Sequence, residues 1–300
     1  MTTNFRGIYP PIPTPFTTDE QLALDQLAAN VQRWLAQPLD GLVTPGSNSE
    51  AAFLTPAEKL AIWNQCGTLL RGTGKHLIAG TGAETTAETI ALTQAAAAAG
   101  ATAALVITPS FFKAAMTHSA LVAHFQQVAD AAPIPILVYN VPAFTGIDLT
   151  PATILALAEH PRIVGMKDSS ANVSKVAQVL AAQPQFQVLS GSGSALLPFL
   201  SIGAVGGIMA LANIAAGPLR HLLDAFAAGD LALARRVQLA LVELNTAITA
   251  RYGVPGLKYA LDQLGWYGGP SRRPLQPLSD AARADLDRLL HDLHTLTDAA

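Results

Sequence analysis

The chain has 300 residues, of which 50% are hydrophobic and 13% are charged, and its formal net charge at pH 7 is −3. So little charge leaves much of the chain to be buried, and without a cluster of basic residues nucleic acid is not expected as a partner. The single cysteine, Cys66, excludes an intrachain disulfide and a thiol-rich metal site.

Short apolar runs alternate along the chain with longer segments rich in Ala and Leu. The apolar runs predict eight strands, over 7–12, 41–44, 76–80, 103–107, 136–139, 163–167, 187–190 and 205–209. The segments between them predict helices near 20–36, 56–70, 84–99, 117–131, 150–159, 173–182, 193–202 and 213–228. Thr55 and Thr150 each place a capping hydroxyl directly before a proline, which marks the start of a helix.

Eight consecutive strand–helix units predict an α/β fold, a (β/α)8 TIM barrel over residues 1–228. The strands are continuously apolar, as in a parallel sheet that is covered on both faces. A doubly wound sheet is the alternative, but it rarely needs eight consecutive units. Three more helical segments, near 230–250, 254–264 and 280–297, predict a C-terminal helical appendage over 229–300.

One stretch, residues 176–219, contains no Asp, Glu, Lys or Arg, and its core is long enough to span a bilayer. Pro198 and several glycines interrupt it, so we interpret it as a buried helix, strand and helix and expect no contact with a membrane. The N-terminal residues lack the basic-then-apolar pattern of a signal peptide. We therefore expect a cytoplasmic protein.

Two polar side chains end neighbouring strands of the predicted barrel, and chemistry in such barrels lies at the carboxyl ends of the strands. Alternation along the sixth strand points Ile163, Gly165 and Lys167 to one face, and Tyr139 ends the fifth strand on that same face. Lys167 is the only lysine at any strand end. A strand-end lysine commonly extends to solvent, but a desolvated amine beside a phenol predicts a nucleophile that forms a Schiff base with a carbonyl substrate.

A turn of small polar residues follows the second strand, with the sequence Gly46-Ser47-Asn48-Ser49. Such turns present successive N–H groups and hydroxyls to an anion. Taken alone, the string is typical of an ordinary capped loop. Together with a Schiff-base lysine, it predicts a holder for the carboxylate of a 2-oxo acid.

Three ordered motifs resemble those of the dihydrodipicolinate synthase/N-acetylneuraminate lyase superfamily of class I, pyruvate-dependent aldolases. These segments are Gly46-Ser47-Asn48-Ser49-Glu50, Tyr139-Asn140-Val141-Pro142 with Thr145-Gly146, and Gly165-Met166-Lys167-Asp168-Ser169. The resemblance implies an imine on Lys167, proton transfer by Tyr139 with Ser47, and a 2-oxo acid carboxylate on Ser47 and Asn48. It also implies a pocket lined by Ser169, Gly191 and Ile208, pyruvate and an aldehyde as substrates, a homotetramer, and no metal or cofactor.

The chain departs from the superfamily at two places. Dihydrodipicolinate synthases typically hold the second substrate's carboxylate with an arginine where this chain has Phe144, and they supply a relay tyrosine where it has Phe111 and Phe112. The motifs look more like those of 4-hydroxy-2-oxoglutarate aldolase and related 2-oxo-3-deoxy acid aldolases, which predicts a 4-hydroxy-2-oxo acid or 2-oxo-3-deoxy sugar acid aldolase that acts between pyruvate and an aldehyde. The alternatives are 4-hydroxy-tetrahydrodipicolinate synthase, a 2-oxo acid dehydratase using the same imine, and a non-catalytic 2-oxo acid binder.

Overall fold

The computed structural model describes residues 3–298, and within them eight parallel strands form one sheet. They are β1 (Gly7–Tyr9), β2 (Gly41–Thr44), β3 (His76–Gly80), β4 (Ala103–Ile107), β5 (Ile136–Asn140), β6 (Ile163–Asp168), β7 (Gln187–Ser190) and β8 (Gly206–Ile208). From β2 to β8 each strand pairs with the next one in sequence, and β8 pairs with β1. Contact between Pro11 and Val43 joins β1 to β2, so that the barrel closes.

The helices cover the outside of this barrel and then continue past it. They are α1 (Leu24–Leu35), α2 (Pro56–Leu70), α3 (Thr86–Ala98), α4 (His118–Ala131), α5 (Pro142–Thr145), α6 (Pro151–Ala158), α7 (Val173–Ala182), α8 (Leu196–Ser201), α9 (Ala216–Ala227), α10 (Leu231–Thr246), α11 (Gly253–Gln263) and α12 (Asp280–Asp298). The predicted (β/α)8 barrel with further C-terminal helices is confirmed. The division at residue 228 stays a prediction.

The predicted helix starts are correct where threonine precedes proline. The hydroxyl of Thr55 accepts a hydrogen bond from the Glu58 N–H at 3.2 Å, and Thr150 accepts one from the Thr153 N–H at 3.2 Å. These bonds satisfy N–H groups that the first turn of a helix leaves unpaired. The first strand is shorter than predicted, ending at Tyr9. Pro10 and Pro11 follow it and have no N–H to donate to a sheet.

Two different cores lie on the two faces of the sheet. Inside the barrel, Leu105, Leu137, Tyr139, Leu189 and Ile208 pack together in one cluster. The outer face of the sheet packs against the helices, where Cys66 is fully buried as predicted. This separation follows from the alternation of side chains along each strand.

The start of β6 differs from the expected alternation. Ile163 packs in the outer cluster with Met166, whereas Val164 contacts the interior one. The register between β5 and β6 shifts between Ile136 and Leu137, so that Leu137 opposes Gly165. The prediction that Ile163 faces the same way as Lys167 is therefore wrong, because a bulge reverses the alternation within the strand.

The uncharged stretch 176–219 forms buried helices and strands, as predicted, with α7, β7, α8 and β8 within or beside it. Among the helices of residues 3–298, none combines the length and the apolar character needed to cross a membrane.

The C-terminal helices contact the barrel at the carboxyl ends of its strands. Gln238 of α10 donates to the Gly193 carbonyl at 2.8 Å, and Asn245 accepts from the Gly193 N–H at 3.2 Å. Lys258 of α11 pairs with Glu50, which follows β2, at 2.6 Å. The appendage therefore holds loops at the end of the barrel where a site is expected.

Candidate active site

Lys167 and Tyr139 lie side by side inside the barrel, as predicted. They are register partners on β6 and β5, and their exposed fractions are 3% and 5%. The Nζ of Lys167 lies 4.1 Å from the centre of the Tyr139 ring. A buried amine on the face of a phenol ring is therefore the centre of the site.

The turn after β2 reaches the same phenol. Ser47 Oγ lies 3.3 Å from the Tyr139 hydroxyl, and Ser47–Ser49 forms one 3-10 turn. Two hydrogen bonds hold the turn in place. The Ser49 hydroxyl accepts one from the Gly46 N–H at 2.9 Å, and the Ser49 carbonyl accepts one from the Thr14 hydroxyl at 2.7 Å. Asn48 and Ser47 are half-buried. The turn therefore meets the phenol that lies against the Lys167 amine.

The surroundings of Tyr139 favour its ionised form. Burial raises the pKa of the phenol, but the positive charge of Lys167 and hydrogen bonds with Ser47, Lys167 and Ser169 together bring that pKa below its usual value. A phenol of this kind gives up and regains a proton more readily than a tyrosine in water. This property suits a group that exchanges protons with a substrate.

Ser169, Gly191 and Ile208 lie on neighbouring strand ends. A Cβ at position 191 would collide with the Ser169 Oγ, so glycine is needed for the close approach of the loops after β6 and β7. The Gly191 N–H donates to the Asp168 carbonyl at 2.7 Å. Ile208, on β8, is completely buried in the barrel interior. Ser169 and Gly191 therefore meet at the end of the strand that carries Lys167, and Ile208 lies in the interior cluster that contains Tyr139.

A buried polar network, which the sequence did not indicate, supports the two strands from outside. Lys175 of α7 is 5% exposed and pairs with Asp168 at 2.9 Å and with Asp148 at 2.5 Å. Asn140 donates to the same two carboxylates, at 2.9 and 2.8 Å, and accepts from the Leu149 N–H at 3.0 Å. Asn140 and Asp168 directly follow Tyr139 and Lys167, so the network fixes the ends of both strands. The sequence held one indication of this network: Asp168 faces away from the pocket, and a buried carboxylate requires a hydrogen-bond or charge partner.

Three phenylalanines stand at the mouth of the barrel and are mostly exposed. Their exposed fractions are 77% for Phe111, 71% for Phe112 and 70% for Phe144. The Glu84 carboxylate holds the loop after β4 by accepting from the Phe111 N–H at 2.9 Å. Beside it, the Nζ of Lys113 approaches Gly146 so closely that a Cβ at that position would lie 2.9 Å from it, and Gly146 directly follows α5, which carries Phe144. Sequence reasoning missed this cation.

Within the part of the chain that the structure describes, no group of three or more His, Cys, Asp and Glu side chains could hold a metal ion. The site described above consists of an amine, a phenol, hydroxyls and backbone groups.

Comparison with known proteins agrees with this arrangement. The model of the dihydrodipicolinate synthetase family matches residues 4–293. The chain belongs to this family. The family's members are carbon–carbon lyases of the pyruvate-dependent aldolase type, and the protein is an enzyme of that class.

Two curated relatives and one solved structure show how far the similarity extends. A protein of Exiguobacterium sp. is 37% identical over 94% of this chain and 96% of its own, and one of Roseobacter denitrificans is 38% identical over 94% and 96%. Both are named 4-hydroxy-tetrahydrodipicolinate synthase. The structure of YagE from E. coli K12, a prophage protein of the dihydrodipicolinic acid synthase family in complex with pyruvate, superposes with a TM-score of 0.90. It is 33% identical, covering 97% of this chain and 99% of its own. The predicted superfamily is therefore confirmed.

Proposed function

We propose that this enzyme joins pyruvate to an aldehyde, or cleaves the product of that reaction, through an imine on Lys167. The neutral amine attacks the C2 ketone, and loss of water leaves the imine. The imine withdraws electrons, so a proton leaves C3 and an enamine forms. Carbon 3 then attacks the aldehyde carbon, a proton passes to the new alkoxide, and water releases the product and restores the amine.

The observation that carries this proposal is the buried contact of the Lys167 amine with the Tyr139 ring, with Ser47 Oγ at 3.3 Å from the phenol. In the proposed reaction, Tyr139 moves the proton at the alcohol, and the Ser47–Asn48 backbone and hydroxyl bind the carboxylate. Ser169, Gly191 and Ile208 line the pocket. Borohydride reduction of the protein with pyruvate, followed by peptide mass spectrometry, tests the imine. Labelling without turnover of any aldehyde would favour a non-catalytic 2-oxo acid binder.

Two observations favour different second substrates. The curated relatives, named 4-hydroxy-tetrahydrodipicolinate synthase, favour condensation of pyruvate with aspartate semialdehyde, and they support that activity better than the aldolase predicted from the motifs. Phe144 favours an aldehyde other than aspartate semialdehyde, as in 4-hydroxy-2-oxo acid or 2-oxo-3-deoxy acid aldolases, because no arginine stands where dihydrodipicolinate synthases hold that substrate's carboxylate. A comparison of kcat/KM for aspartate semialdehyde condensation, retro-aldol cleavage and dehydration of such acids decides between them.

Phe144→Arg should raise kcat/KM for aspartate semialdehyde by about 10- to 100-fold, because a hydrogen bond to a charged group contributes about 1.5–3 kcal/mol. The side chain is 70% exposed, so arginine fits there without repacking a core. Condensation is measured by coupled turnover, with Phe53→Arg, another exposed position, as the control.

Efficient condensation by the unmodified enzyme, with no gain in Phe144→Arg, would contradict the aldolase assignment. Lys113 would then be the cation to test, since its amine reaches Gly146 at the end of α5, the helix that carries Phe144. Loss of condensation in Lys113→Ala would identify it.

We propose that the enzyme assembles as a homotetramer. Among the most exposed apolar side chains are Phe111 and Phe112 and, on α10, Leu231 and Leu239, which are 59% and 66% exposed. Exposed apolar clusters are typical of contact surfaces. Light scattering should give a mass four times the 31.2 kDa of one chain. Leu239→Asp should give a species of lower mass. Leu60→Asp, at an exposed position on α2, is the control and should leave the mass unchanged. A monomeric unmodified protein would contradict the proposal.

A further inference from the structure

Glu50 directly follows the Ser47–Ser49 turn and has a backbone conformation that glycine would adopt more easily. Its φ is 58° and its ψ is 36°, in the left-handed region that side chains disfavour. A carboxylate at such a position indicates that its side chain makes contacts that glycine, which has no side chain, could not make. The side chain is 1% exposed, so its contribution lies inside the protein.

The carboxylate of Glu50 joins the turn to the C-terminal region through both of its oxygens. Oε1 pairs with the Lys258 Nζ of α11 at 2.6 Å, and Oε2 accepts from the Arg272 N–H at 2.8 Å. Lys258 is itself 1% exposed, donates to the Pro270 carbonyl at 2.7 Å, and lies 4.5 Å from the centre of the Phe16 ring. The turn is therefore attached to two C-terminal segments by a buried charge.

The backbone of the turn is fixed between this attachment and the barrel. The Gly46 carbonyl accepts from the Ser49 N–H at 2.9 Å and from the Ala51 N–H at 3.1 Å, so residues on both sides of Glu50 share one acceptor. A shift of Glu50 would move the turn as a unit. Neither Glu50 nor Lys258 contacts Lys167 or Tyr139 by any hydrogen bond or ion pair found among the described residues.

We propose that Glu50 and Lys258 are positioning residues, through which the C-terminal helices hold the Ser47–Ser49 turn in the geometry that binds the carboxylate of pyruvate. This inference rests on the proposed function, since the ligand of the turn is pyruvate. A displaced turn weakens the hold on the carboxylate, which is present throughout the reaction, so affinity for pyruvate changes more than the rate at saturation.

The test measures how labelling by pyruvate and borohydride depends on pyruvate concentration, together with the thermal midpoint and kcat. In Glu50→Gln and in Lys258→Met, the pyruvate concentration for half-maximal labelling should rise about 10- to 100-fold, the cost of small displacements at a site. Labelling at saturating pyruvate should stay complete. Because each single change leaves a buried charge unpaired, the double variant is measured as well. The double variant removes both charges, so it should unfold near the temperature of the unmodified enzyme. Its half-maximal labelling should still require a higher pyruvate concentration than that of the unmodified enzyme.

Asp285→Asn is the matched control. Asp285 of α12 pairs with Arg251 at 2.6 Å and accepts from the Tyr252 hydroxyl at 2.9 Å, so its loss loosens the C-terminal helices without touching the turn. It should lower the thermal midpoint and leave the pyruvate dependence unchanged. If the single variants do not fold, the double variant decides.

If the role of the pair is purely structural, the Glu50 and Lys258 variants should have lower thermal midpoints but reach half-maximal labelling at the same pyruvate concentration as the unmodified enzyme. That result would overturn the inference. The proposed function fails separately, if the unmodified enzyme takes up no pyruvate at Lys167.

Discussion

Lys167→Ala should abolish the borohydride-dependent attachment of pyruvate to the protein. The amine is the nucleophile in the proposed reaction, and among the residues that the structure describes no other lysine lies against a tyrosine ring inside the barrel. Lys167→Arg should fail equally, because a guanidinium keeps its proton and cannot attack a ketone. Intact-mass measurement of the reduced protein gives the extent of labelling, and peptide mapping gives its position.

Lys59→Ala is the matched control for reactivity of lysine in general. Burial lowers the pKa of Lys59, so its amine is more available in the neutral form than that of a lysine in water, but Lys59 lies on α2, among the helices outside the barrel. This variant should label like the unmodified enzyme. Labelling that persists at another residue in Lys167→Ala would refute the imine assignment.

Tyr139→Phe should lower kcat by about 10²–10⁴-fold, the usual contribution of a positioned acid–base group. The change removes a hydroxyl that meets Ser47 and leaves the ring against Lys167. The extent of imine formation with pyruvate should decrease less than kcat, since the amine and the Ser47–Asn48 turn remain. The comparison of kcat with the extent of borohydride labelling separates these two steps.

Tyr259→Phe provides the control, because that hydroxyl donates to Asp287 on the C-terminal helices at 2.9 Å. Its turnover should match that of the unmodified enzyme. Full turnover in Tyr139→Phe would remove the phenol from the mechanism and leave a water molecule as the proton carrier. Phe111 and Phe112 cannot replace the phenol, because a phenyl ring has no hydroxyl to carry a proton.

The sequence alone was sufficient for the order and type of the barrel's elements. Its eight apolar runs coincide with eight strands, because strands buried on both faces must be continuously apolar. Thr55 and Thr150 marked helix starts, since a capping hydroxyl acts on N–H groups only a few residues away. Lys167 and Tyr139 were predictable partners because parallel strands bring their carboxyl ends to one edge.

Other features depend on contacts between residues far apart in the chain, and only the tertiary structure decided them. The register shift at Leu137 placed Ile163 on the outer face, which the alternation within one strand could not reveal. The partners of Lys175 were equally hidden, since a buried lysine is stable only where the fold delivers carboxylates to it. Glu50 meets Arg272 across 222 positions of sequence, and only the packing of α11 and the following loop against the barrel brings them together. Local patterns thus specified the barrel and the residues at its mouth, whereas long-range packing set how rigidly those residues are held.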